Sequence, residues 1–127
     1  MTTKLINIIN FENFHAEVKD KKLPLKTLYK LSLLTKTYTE KLEFYQEQFR
    51  NIMLTHGEKD AEGNFVTVGT DGIRIKQGEE QECYTKLAEL QNLEVEMPDV
   101  VFTIEEFDGI ELTLEIFNFI MPFLKEE

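Results

Sequence analysis

The sequence holds one cysteine, Cys83, so an intrachain disulfide is excluded and a reducing compartment is the expectation. It holds one serine, Ser32, inside a stretch that reads as helix, which leaves no serine–histidine nucleophile in view. Cys83 itself falls on an apolar face and reads as a small buried hydrophobe. Only His15 and His56 join it as ligands of the imidazole or thiol type. The three are far apart in sequence, so no His/Cys metal site is expected. The six glycines never fall into G-x-x-x-x-G-K-[ST] or G-x-G-x-x-G, which argues against a phosphate cradle. Nothing approaches the ~20 consecutive apolar residues of a membrane helix. The opening "MTTKLINIINFENF" has a short apolar run broken by Asn7 and Asn10, unlike a signal peptide. No cofactor is implied by any motif. Carboxylate pairs such as Glu105 and Glu106 arise readily in so acidic a chain, and none marks an acid/base dyad.

What is present suits one folded domain spanning 1–127. The 127 residues are 42% hydrophobic and 30% charged, with ten Phe and four Tyr to fill a core. Charge is unevenly placed. Residues 1–36 carry seven Lys and three acids, a net of +4, whereas 37–127 carry seven Lys or Arg and 21 acids, a net of −14. The total of −10 repels phosphate backbones, so no direct nucleic-acid partner is expected.

Periodicity predicts a fold that is α+β and predominantly helical. "NFENFHAEVKDK" predicts a short helix over about 10–21, capped by Asn10, and "KLINIIN" before it reads as an edge strand or a hydrophobic lead-in. Pro24 suits a helix start. From there to His56 no Gly or Pro intervenes. Leu28, Leu31, Thr35, Tyr38, Leu42, Tyr45, Phe49 and Ile52 follow a 3-4-3-4 spacing, the seam of a helix about 50 Å long at ~1.5 Å per residue. Gly57 stands where a C-terminal cap belongs, and His56 would meet the helix dipole as an imidazolium. "NFVTV" and "IRIK", separated by "GTDG", predict a β-hairpin with strands near 64–68 and 73–76. "GEEQECYTKLAELQNLE" predicts a helix over about 79–93, packed antiparallel on the long helix with the hairpin at the tip. "EVEMPDVVFTI" reads as strand, Asp108-Gly109 as a turn, and "LTLEIFNFIMPF" as a short final helix ended by Pro122.

The turn-rich stretch from His56 to Glu80 has the acids and glycines of a calcium loop but not their spacing. An EF-hand loop needs ligands at positions 1, 3 and 5, a Gly at 6 and a Glu at 12. Counted from Asp60, ligand-type residues fall at 1, 3 and 5 (Asp60, Glu62, Asn64), but Gly63 is at 4 and Asp71 at 12. Turn chemistry explains the same residues, and no metal is expected.

Two surfaces are candidates for binding a protein partner. One is the apolar seam: Leu28, Leu31, Tyr38, Leu42, Tyr45, Phe49 and Ile52, whose length also suggests a homodimer. The other is the acidic surface of Glu94, Glu96, Asp99, Glu105, Glu106 and Asp108, in a C-terminal stretch 89–127 of net charge −10.

The order of "KKLPLKTLYKLSLLTK", "HGEKDAEGNFVTV", "IRIK", an acidic helix and "LEVEMPDVVFTIEEFDGIELT" resembles a family of small phage and prophage proteins of Gram-positive bacteria. The resemblance covers most of residues 20–115. It departs at "LTLEIFNFIMPF", which lacks the proline such members carry after the threonine. The family has no assigned activity and transfers no functional residue. It implies a non-enzymatic accessory protein of the host cytoplasm or the virion that binds a phage structural protein or a host protein. A virion component or a head or tail assembly factor is the first expectation. The alternative is a host-directed inhibitor, an anti-defence protein whose acidic surface imitates DNA.

Overall fold

The computed structural model describes residues 1–69 and 72–125. The chain is α+β and mainly helical. In order it forms β1 (Thr2–Lys4), α1 (Leu5–Val18), α2 (Leu25–His56), β2 (Thr67–Val68), β3 (Gly72–Ile73), α3 (Glu80–Gln91), β4 (Glu94–Glu96) and α4 (Leu114–Ile120). Two 3-10 turns occupy Ile104–Phe107 and Met121–Phe123. The long helix packs on α1 and on α3. The chain divides into two compact units: Met1–Leu42 with Glu94–Glu127, and Glu43–Leu93. The division falls within α2, a helix long enough to serve two cores.

In the first unit α1 starts five residues earlier than its sequence suggests. Leu5, Ile8, Phe11, Phe14 and Val18 are all fully buried, so one apolar stripe runs the whole length of the helix. "KLINIIN" is therefore mostly helix, despite its β-branched residues, and Asn10 lies inside the helix instead of capping it. Burial of an apolar face outweighs the tenths of a kcal/mol by which Ile disfavours helix. The strand lies just before, where β1 pairs antiparallel with β4 and sets Lys4 opposite Glu94. Leu31, Leu34 and Leu42 of α2, with Met97, Val100, Phe102, Phe107, Ile120 and Phe123, complete the core. Its aromatic rings meet in pairs: Phe11–Phe123 and Phe14–Phe107 at 5.3 Å and Phe102–Phe107 at 5.4 Å. "VVFTI" forms no strand. Phe102 makes a single parallel bridge to Leu124, and Thr103 then opens a 3-10 turn.

In the second unit the expected hairpin exists as β2 paired antiparallel with β3, but a third extended segment joins it. The Val66 N–H donates to Glu58 O at 2.9 Å, Arg74 N–H to Val66 O at 2.8 Å, and Glu58 N–H to Arg74 O at 2.7 Å. Each segment thus bonds both others, and a hairpin that would be marginal alone is closed into a triangle. The "GTDG" turn includes Thr70 and Asp71, which lie outside the described residues. Asp60 makes the preceding turn, its Oδ1 accepting from the N–H groups of Glu62 (2.9 Å) and Asn64 (3.0 Å).

Gly57 does not cap α2 through a left-handed conformation. Its φ is not among the positive ones. Glycine is needed for room: a Cβ there would lie 2.6 Å from Met53 O and 2.7 Å from the Phe65 ring. The free carbonyls at the end of α2 are taken by Lys76, whose N–H bonds His56 O at 2.8 Å and whose Nζ bonds Thr55 O at 3.3 Å.

Candidate functional site

The seven seam residues do not form one open face. Leu31 and Leu42 are buried in the first unit. Tyr38 is half-buried there, edge-on to Phe11 at 6.0 Å and to His15 at 6.4 Å. Tyr45 stacks on Phe49 at 6.0 Å in the second unit, beside a half-buried Ile52. Leu28 and Phe49 are the seam members with substantial exposure. Most of the seam is therefore occupied by the chain's own packing.

The six acids also separate. Asp99 binds the N-terminal ammonium of Met1, and Glu94 sits across the sheet from Lys4. Glu106 is an internal group, its side chain only 9% exposed. Lys30 Nζ bridges its two oxygens at 2.9 and 3.0 Å, and the Thr103 N–H donates to it at 2.7 Å in a capping box. Burial raises the Glu106 pKa, but the Thr103 hydrogen bond and the Lys30 and Lys26 charges outweigh it and hold the carboxyl below its ordinary value. Glu96, Glu105 and Asp108 are exposed and make no ion pair among the described residues.

Sequence reasoning missed a recess in the first unit. The stretch 104–124 of the first unit folds around a groove of about 510 Å³. Three devices shape it. The capping box starts the first 3-10 turn; Gly109, at φ +82°, reverses the chain. Thr113 then caps α4, its Oγ1 accepting from the Ile116 N–H at 3.2 Å. The groove wall is apolar, with Ile104, Phe107, Ile110, Leu114 and Phe117 prominent, and Asp108 at its edge. Glu105, Glu111 and Glu115 are exposed on the same stretch. The only signal in the sequence is the density of apolar residues in "LTLEIFNFIMPF", more than one short helix can bury.

The second unit contains a buried polar cluster. His56 is 2% exposed, and its Nε2 faces the Lys86 ammonium at 2.9 Å. An ammonium only donates, so Nε2 accepts, and Nδ1–H donates to Glu79 Oε1 at 3.0 Å. The ring thus bridges the Lys86 ammonium and the Glu79 carboxylate. Cys83 lies between these partners on α3 and is fully buried. Burial pushes its thiol up, Lys86 pulls it down and Glu79 raises it, with a net rise. Among the described residues no three His, Cys, Asp or Glu side chains come together as a group that could hold a metal ion. No helix among them is long and apolar enough to cross a membrane.

No family model, curated protein or solved structure matches the chain.

Proposed function

We propose that this is a non-enzymatic accessory protein of a phage or prophage that acts by binding another protein, as a virion component or an assembly factor. The observation that carries the binding role is the open apolar groove of residues 104–124, with the exposed Asp108 among its lining residues. An exposed concave apolar face on a small protein marks an interaction site more often than a passive surface. The phage setting rests on the resemblance of residues 20–115 alone. The alternative, an inhibitor that imitates the charge of DNA, has less support. Of the six acids that would form its surface, Glu94, Asp99 and Glu106 already face cations of the chain.

The test is affinity capture from phage-infected cells with the wild-type chain and with Leu114→Glu. Leu114 is exposed, so the substitution leaves the core intact. Head or tail proteins captured by the wild type and lost with the variant are the expected result. A host nuclease captured in a strongly salt-dependent way would favour the inhibitor. Identical captures by both chains would remove the groove as the binding face.

A further inference from the structure

Two five-residue stretches of the first unit share a pattern with opposite charge: Lys22-Leu23-Pro24-Leu25-Lys26 and Glu111-Leu112-Thr113-Leu114-Glu115. Each leads into a helix whose first residue is the second leucine, α2 at Leu25 and α4 at Leu114. Their exposure matches position by position: the flanking charges are exposed, the first leucine is half-buried, and the second leucine is exposed. Leu25 and Leu114 are the two most exposed large apolar side chains among the described residues, at 82% and 76%. None of Lys22, Lys26, Glu111 and Glu115 makes an ion pair among those residues.

We infer that the groove takes a second copy of this chain, the lysine-flanked Leu25 of one copy seating beside the glutamate-flanked Leu114 of the other. This rests on the groove being the binding face and names its occupant. Asp108 lines the groove, and Glu111 and Glu115 flank its lining residues Leu112 and Leu114 in sequence; this favours an apolar segment flanked by cations, and residues 22–29 supply one, with Leu28 and Tyr29 also exposed. Both stretches belong to one unit, and the Lys30–Glu106 pair ties the start of α2 to the 3-10 turn whose Ile104 and Phe107 line the groove. In such a pairing a twofold axis engages both matched pairs at once, giving a closed dimer.

Charge reversal tests this in the full-length protein. Light scattering across a concentration series should give twice the monomer mass for the wild type. Lys22→Glu with Lys26→Glu sets acid against acid, and Glu111→Lys with Glu115→Lys sets lysine against lysine. Each double variant should dimerise about 100-fold more weakly or worse. Mixing the two variants restores both attractive pairs and should return the dimer. The substitutions lie on exposed side chains, and circular dichroism checks that each variant is folded. A wild type that stays monomeric, a reversed variant that dimerises like the wild type, or a mixture that stays monomeric would each overturn the inference. A monomeric wild type would still leave capture of another protein through Leu114 standing.

Discussion

At the scale of single residues, two buried ionisable groups yield tests. Glu106 has its pKa held down in the folded state, so its contribution to stability is complete above the ordinary value of 4.5 and is lost as pH falls through the folded value. Glu106→Gln removes the ion pair and leaves Lys30 half-buried without its anion. Denaturant titrations should find the variant less stable by ~1–3 kcal/mol at pH 7, and the gap should shrink below about pH 4. A gap that does not vary with pH would mean that the carboxylate charge contributes nothing. Cys83 gives the second test. Its thiol is fully buried and kept protonated by that burial, so a disulfide reagent at pH 7 should react slowly with native protein and fast in denaturant. Fast reaction in the native state would show that α3 opens readily. That Cys83 serves packing was legible in the sequence from the apolar residues around it. The partners of His56 were not, because Glu79 and Lys86 lie 23 and 30 residues away and meet it only through the fold.

At the scale of elements, Asp60 decides whether the triangle of extended segments starts correctly. Its Oδ1 holds two backbone N–H groups, so Asp60→Ala should destabilise the second unit by about 1 kcal/mol, while Asp60→Asn, which keeps the acceptor, should cost a few tenths. Equal losses in thermal melts would show that charge, not the turn bond, matters there. The turn residues and both long helical spans could be read locally, because each depends on neighbours within four positions. What could not be read depends on distant packing. The start of α1 at Leu5 follows from burial against the first unit's core. The third member of the triangle, 57–59, has no strand pattern of its own and is extended because residues 65–75 bond to it. The groove of 104–124 was hidden for the same reason: its apolar residues predict a helix, and only the turns at Thr103, Gly109 and Pro122 make that helix one wall of a recess.

At the scale of the whole chain, the division into two units is a statement about cooperativity that can be measured. α2 gives Leu25–Leu42 to one unit and Glu43–His56 to the other, so its two halves can have different stabilities although they form one continuous helix. His56 is the means to separate them. His56→Ala leaves a void and unbinds Glu79 and Lys86 in the second unit, at a cost of ~2–4 kcal/mol. Its partners all lie within that unit. Native-state hydrogen exchange should therefore lose protection across 43–93, including the last turns of α2, while the amides of α1 and residues 28–42 keep theirs. The alternative outcome is a uniform loss across α2 and α1, which would make the chain a single cooperative body. The contrast matters for binding, because both leucine-centred stretches, at Leu25 and Leu114, belong to the first unit. If the units open independently, a chain with His56→Ala should still present those stretches, and its self-association should match the wild type at temperatures where the second unit has lost its exchange protection.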